Sequence, residues 1–185
     1  MYKGQNHFYI KRPVALVGMP GSGKSTIGRK LARILNFRFI DSDELIEQEA
    51  GKKISDIFKD SGESTFRAME MSTILNILET EDVPYILSTG GGAVITPDIY
   101  NALQQKTILV YFNVSTEELW RRLALEKDYI SRPLLSQTDD HPKKRLEELM
   151  EKRSAVYGQS HIVIDCDGKE PGDIVEETIQ KIGDL

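Results

Sequence analysis

An α/β domain built on a parallel sheet is the fold this sequence predicts, and three observations carry the prediction. Short apolar runs alternate along the chain with longer segments of helical period, the order of strand–helix–strand units. Four of the five runs are almost continuously apolar, as strands are when helices cover both faces of their sheet. The first run leads straight into a glycine-rich loop followed by a helical segment.

In chain order the strand candidates are Val14–Val17, Arg38–Ile40, Pro84–Ser88, Ile108–Phe112 and His161–Asp165. Between them, Ser25–Leu35 sets Ile27, Leu31 and Ile34 on one helical face, and Ser64–Leu78 does the same with Met71, Ile74, Leu75 and Leu78. Ser115-Thr-Glu-Glu118 reads as a capping box opening a helix through Leu125, since Ser115 and Glu118 can satisfy each other's orphan amides. Lys143–Tyr157 and Asp173–Ile182 form the last two helices. The stretch Lys127–Pro142 breaks the period with prolines, serine, threonine and paired aspartates, and predicts a mobile surface loop. Long loops of this kind often cover active sites, so a lid is expected at about residues 124–140. Residues 1–12 read as a polar N-terminal leader and 13–185 as one domain, a length suited to one core.

The formal net charge of −5 argues against a nucleic-acid surface, because polyanion binders carry a basic excess. No apolar run approaches the roughly 18 residues that span a bilayer, and Met1–Arg12 lack the apolar centre of a secretory signal. Neither a nucleic acid nor a membrane is expected as a partner. Cys166 is the only cysteine, so no internal disulfide can form and a cytoplasmic location is expected.

Gly18-Met-Pro-Gly-Ser-Gly-Lys-Ser25 matches the P-loop spacing of Gly, four residues, then Gly-Lys-Ser. Glycines here let backbone amides turn inward without Cβ clashes, so Gly21, Ser22 and Gly23 can form a nest for phosphate oxygens. The helix that follows adds the amides of Lys24, Ser25 and Thr26 and the positive end of its dipole. Lys24 would reach the β- and γ-phosphates and the Ser25 hydroxyl would ligate Mg²⁺, which makes ATP and Mg²⁺ the expected cofactors. No Asn-Lys-x-Asp motif is present, which argues against guanine-specific binding.

Asp41-Ser-Asp43 follows the second strand, where loop residues of a parallel sheet face the ligand crevice. One carboxylate can approach Mg²⁺ while the other accepts a hydroxyl proton; equally, Ser42 or Asp43 can cap the helix Glu44–Glu49. Arg67 can pair on its own helix with Glu63 or Glu70. Gly90, Gly91 and Gly92 at the end of the third strand allow close approach of a ligand and offer amides to an anion. No acidic residue ends that strand, so metal binding leans on Ser25 and Asp41.

As an ordered set these motifs resemble the shikimate kinases. The resemblance rests on Gly18–Ser25, Asp41/Asp43, Gly62–Glu70, Thr89–Gly92, the Arg-Pro-Leu-Leu of Arg132–Leu135, and Arg153/Tyr157, running from about Val14 to Pro171. It implies a five-stranded parallel sheet in the order 2-3-1-4-5, flanked by helices and covered by a mobile lid. It implies ATP bound without a partner chain, hence a monomer, and phosphorylation of the 3-hydroxyl of shikimate. Asp43 would contact that hydroxyl as the candidate base, Arg67 and Arg153 would hold the carboxylate with the amides of Gly90, Gly91 and Gly92, and Arg132 would stabilise the transferring phosphoryl group. Guanidinium pairs suit a planar carboxylate, and converging cations suit phosphoryl transfer.

Read without the resemblance, Arg132 is a solvated loop charge, Arg153 an ion pair with Glu147 or Glu148, and Tyr157 core packing. The chain departs from the family at Leu123-Ala-Leu-Glu-Lys-Asp-Tyr-Ile130, where extra glycines and an additional arginine are common, so no lid residue is assigned to adenine. Asp167–Pro171 resembles the family's adenine loop, with Lys169 where arginine is common and Pro171 at its end; lysine stacks less well on a purine. His7, His141 and His161 show no ligand spacing and are assigned no role. A gluconate or nucleoside-monophosphate kinase would share the P-loop but would not require Arg67, Arg153 and the glycine turn together. A non-catalytic nucleotide-binding module would be expected to have lost one of Lys24, Ser25, Asp41, Asp43 or Arg132.

Overall fold

In the computed structural model, which describes residues 10–126, 132–136 and 141–185, the five apolar runs are five parallel strands. These are β1 (Val14–Val17), β2 (Arg38–Asp41), β3 (Tyr85–Ser88), β4 (Ile108–Asn113) and β5 (Ile162–Asp165). Their spatial order is β2-β3-β1-β4-β5, as the resemblance implies. The register pairs Leu16 with both Ser88 and Val110, and Asp41 with Ser88, which aligns the carboxyl ends of β1, β2 and β3. The chain winds one way from β1 to β2 and the other way from β3 to β4, so a crevice opens above those ends.

The helices are α1 (Lys24–Leu35), α2 (Ser42–Ala50), α3 (Ile54–Thr80), α4 (Pro97–Lys106), α5 (Thr116–Glu126), α6 (Pro133–Ser136), α7 (Pro142–Tyr157) and α8 (Pro171–Gly183). β1 and β3 are buried along their whole length, as apolar strands between two helix layers must be. Helix α1 lies almost flush on the sheet: a Cβ at Gly28 would stand 2.6 Å from the Phe39 ring and 2.9 Å from Leu16. A second, smaller core sits apart from the sheet, where Ile46, Ile57, Phe58 and Phe66 join α2 to the first half of α3. The Phe58 and Phe66 rings are 4.9 Å apart in a tilted pair.

Several local expectations change. Ile34 is 52% exposed; the buried stripe of α1 is Ile27, Gly28, Leu31 and Ala32, which turns Ile34 outward. Helix α3 begins ten residues before the expected Ser64 and bends at Gly62, whose φ of 81° is not helical. Glu47 pins its start by accepting from the Ile54 amide at 3.0 Å and from Lys53 Nζ at 2.7 Å. Helix α4 is an element the periodicity did not single out; Pro97 opens it and Ile99 and Leu103 bury its inner face. The cap of α2 is Asp41, not Ser42 or Asp43: its carboxylate accepts from the Asp43 amide at 3.1 Å.

At α5 only half of the capping box forms. Ser115 Oγ accepts from the Glu118 amide at 3.3 Å, but the Ser115 amide turns to Asp167 at 3.0 Å because Glu118 is engaged by Arg121 and Arg122. Helix α5 continues through 126, and Pro133–Ser136 form a helical turn. The rest of the expected lid, 127–131 and 137–140, lies outside the described residues, as do 1–9 of the leader. Ile10 packs against the main core, and Arg12 donates to the carbonyls of Gln105 and Thr107 at 3.2 and 2.9 Å. Among the described residues, no helix is long and apolar enough to cross a membrane.

Candidate active site

The glycine loop reaches α1 through two left-handed residues, Gly21 (φ 81°) and Gly23 (φ 91°), a conformation that side chains with a Cβ resist. No side chain caps α1. Its first main-chain bond runs from the Ile27 amide to Gly23 O at 2.9 Å, which leaves the amides of Lys24, Ser25 and Thr26 without helical acceptors. An uncapped helix end above a crevice is an anion site. Lys24 folds back on the loop, donating to Gly18 O and Met19 O at 2.9 and 3.0 Å. Burial, and then the Arg132 charge, push its pKa down to about 8 against the opposing pull of Asp43 and Asp41.

Ser25 Oγ donates to Asp41 Oδ2 at 2.7 Å and lies 3.3 Å from Ser88 Oγ. These hard oxygens suit Mg²⁺. Among the described residues no cluster of three or more His, Cys, Asp or Glu side chains could hold an ion alone, so waters and phosphate oxygens would complete the shell.

Across the crevice Asp43 stands in the first turn of α2, with Oδ1 buried and without a partner among the described residues. Burial raises its pKa to about 6, helped by the charges of Asp41 and Glu70. Arg67 makes both of the helix pairs that its spacing allows: Nη1 to Glu70 Oε2 at 2.6 Å and Nη2 to Glu63 Oε1 at 3.1 Å. The partners differ in kind. Glu63 is half exposed, whereas Glu70 is fully buried with its second oxygen unpartnered among the described residues, so the Arg67–Glu70 pair is no surface ornament.

The triple-glycine turn meets a different neighbour at each position. A Cβ would stand 2.5 Å from Glu70 Oε1 and 2.8 Å from Asp43 Oδ1 at Gly90, 2.8 Å from the Pro20 ring at Gly91, and 2.7 Å from the Arg67 nitrogens at Gly92. Arg153 is only 5% exposed and donates to Gly91 O at 3.0 Å; Glu148 pairs instead with Arg145. The reading of Arg153 as a helix-surface ion pair is therefore set aside. Tyr157 is core, as its packing reading expects, but its hydroxyl also bonds Gly91 O.

The crevice has a volume of about 1100 Å³, and every residue singled out for nucleotide, metal or acceptor lines it, including Arg132, Lys169 and Pro171. Of the further lining residues, three bear on the chemistry. Ser88 ends β3 opposite Leu16, a position visible only once the strand order is known. In the sequence Glu70 shows only as a helical partner of Arg67, and nothing local signals its burial. Arg122 is held by Glu118 at 2.7 Å and reaches Gly21 O at 3.4 Å, facing the same end of the crevice as Lys169 and Pro171. Its four-residue spacing from Glu118 was the available signal. Lys169 itself is tied to Glu177 at 2.5 Å.

A protein-family model described as shikimate kinase matches residues 20–183. A shikimate kinase of Sulfurihydrogenibium sp. is 41% identical over 169 residues, spanning 91% of this chain and 96% of that one. The structure of shikimate kinase from Acinetobacter baumannii in complex with shikimate is similar at a TM-score of 0.85 and 32% identity, over 95% of this chain and 94% of that one. A gluconokinase from Sinorhizobium meliloti, at a TM-score of 0.61 and 16% identity over 95% and 93% of the two chains, shares the fold alone.

Proposed function

The chain belongs to the shikimate kinase family, and from that premise we propose how its own residues divide the work of moving a phosphoryl group from ATP to shikimate. It is a kinase of aromatic amino-acid biosynthesis that phosphorylates shikimate with ATP. The acceptor atom in this reading is the 3-hydroxyl, giving shikimate 3-phosphate. One observation carries the assignment of roles: Arg67, Arg153 and the glycine turn converge on the same crevice as the uncapped end of α1, with Asp43 between them.

The amides of Gly21, Gly23, Lys24, Ser25 and Thr26 cradle the phosphates, the Ser22 amide being given to Met19 O at 3.1 Å, and Lys24 supplies the nearest fixed cation. Ser25 and Asp41, with Ser88 beside them, would hold Mg²⁺, which when bound neutralises phosphate charge. Arg67 and Arg153 grip the acceptor carboxylate, with the amides of Gly90, Gly91 and Gly92 around it. Asp43 accepts the hydroxyl proton, and its raised pKa of about 6 leaves it ionised and basic near neutral pH. Arg132 adds positive charge at the transferring group, where charge stabilisation does most of the catalysis. Arg122, Lys169 and Pro171 flank the adenine.

We extend the proposal to a single domain over 13–185, preceded by a leader over 1–12, with a lid at about 124–140 that closes over both substrates. A cytoplasmic monomer belongs to the same proposal, supported by the family resemblance and by the single cysteine, Cys166, which leaves no internal disulfide. Release of ADP with shikimate, gluconate and nucleoside monophosphates as acceptors tests the reading. Shikimate should raise the rate far above ATP alone, and a better rate with gluconate or a nucleotide would overturn it.

A further inference from the structure

One peptide group in the glycine turn decides whether the acceptor pocket presents a hydrogen-bond donor or an acceptor. The Ala93 amide donates to Gly90 O at 3.1 Å and closes a four-residue turn around Gly91 and Gly92. Gly92 has φ −107° and ψ −5°, close to the third position of a type I turn. The central peptide of that turn joins the Gly91 carbonyl to the Gly92 amide. Rotating it gives the type II form, which needs positive φ at the third position; most residues resist this, and glycine does not. Nothing within the turn itself holds the peptide in place.

The restraint comes from α7. Gly91 O accepts from the Tyr157 hydroxyl and, at 3.0 Å, from Arg153 Nη1. The hydroxyl also lies 3.8 Å from Met19 Sδ, but a carbonyl is the stronger acceptor for its single proton. Tyr157 is 1% exposed, and its ring stacks on Tyr111 at 4.8 Å and 13°, so the hydroxyl has little freedom to leave. Burial holds the phenol well above its ordinary pKa, so it remains a donor. A trans peptide sets N–H opposite C=O, and the Gly92 amide has no protein acceptor among the described residues.

We infer that Tyr157 is a positioning residue, whose hydroxyl acts with Arg153 as a latch on the Gly91 carbonyl and so keeps the Gly92 amide turned toward the acceptor's carboxylate. The inference rests on the proposed anion site of Arg67, Arg153 and the glycine turn. With the latch open, the peptide can rotate and bring a carbonyl dipole against the carboxylate in place of a donor. With it closed, two hydrogen bonds to the carbonyl also polarise the peptide and strengthen the amide as a donor.

The test compares shikimate with its carboxamide as acceptors in wild type and in Tyr157→Phe, which keeps the ring and loses only the hydroxyl. Wild type should prefer shikimate in kcat/KM. The variant should lose about five- to tenfold of that preference through the KM for shikimate, the scale of one hydrogen bond, while the KM for ATP holds. If wild type shows no preference, the anion-site reading itself falls. If wild type prefers shikimate and the variant prefers it equally, the latch alone is overturned. A uniform loss toward both acceptors and ATP would reduce Tyr157 to packing and also overturn it. A readout needing no variant is the Gly92 amide proton by NMR, which should shift further downfield with shikimate than with the carboxamide, a charged acceptor being the stronger; no difference would sink the proposal.

Discussion

The two ends of the crevice are built from different materials. At the nucleotide end the anion site is main chain with one ammonium, Lys24, all within eight consecutive residues from Gly18 to Ser25 mounted on the fully buried strand β1. At the acceptor end it is mostly side chains drawn from α2, α3 and α7 around one glycine turn, and α2 and α3 rest on the small core of Ile46, Ile57, Phe58 and Phe66. A main-chain site inherits the rigidity of its strand and binds any polyphosphate. A side-chain site inherits the softness of its own packing and carries the choice of acceptor.

This contrast can be broken or sharpened by four substitutions, from the largest effect to the smallest. Lys24→Met should lower turnover by about 10³-fold in a coupled ADP assay, because developing charge on the phosphates loses its nearest fixed cation. Residual activity near wild type would end the argument that this end supplies charge.

Asp43→Asn should cost about 10²-fold in kcat with both KM values nearly held, and the wild-type rate should fall as pH drops through about 6, where Asp43 takes up its proton. The same shift has a stability consequence. The folded pKa lies above the ordinary 3.8, so the stabilisation it represents is present at low pH and is lost as pH rises through about 6. Urea unfolding at pH 8 should therefore find the Asn variant more stable than wild type, by up to about 3 kcal/mol. Equal stabilities at pH 8 would contradict the strain assigned to this carboxylate.

Arg67→Ala should raise the KM for shikimate by about 10- to 100-fold, the scale of charge-assisted hydrogen bonds, and leave the KM for ATP within about twofold. Equal losses would erase the division between the two ends. Ile57→Ala removes a small-core side chain that does not line the crevice. It should remove about 3 kcal/mol from the small core and raise the KM for shikimate more than that for ATP. Parallel changes in both would show that the small core is no separate support.

The same contrast explains what could be read from the chain alone. Val14–Val17 and Gly18–Ser25 obey local rules, apolar continuity and glycine spacing, so strand, loop and helix were legible as a unit. Asp41 and Asp43 were legible from their place just after the second strand, whereas Arg67 and Arg153 were legible only through family resemblance, because they meet the site only after the sheet has ordered itself. Ser88 and Arg122 stayed hidden for that reason: their neighbours Ser25 and Gly21 lie 63 and 101 positions away. The first half of α3 was lost to Gly62, which looks like a break in the sequence and is a bend in the structure. Ile34 misled because a hydrophobic residue at a helical spacing can still lie just beyond the edge of the buried stripe.

The glycine turn also constrains how such an enzyme can change over generations. A methyl group at position 90 collides with Glu70 and Asp43, at 91 with Pro20 and at 92 with Arg67, each at under 3.0 Å. The neighbours come from the glycine loop at 91 and from α2 and α3 at 90 and 92, where Glu70 and Arg67 are themselves paired. A lineage drifting toward a new acceptor meets its hardest step at 91, where the Pro20 ring and backbone stand, because the neighbours at 90 and 92 are side-chain ends. Its open routes run through the side chains around it, at 67, 70 and 153.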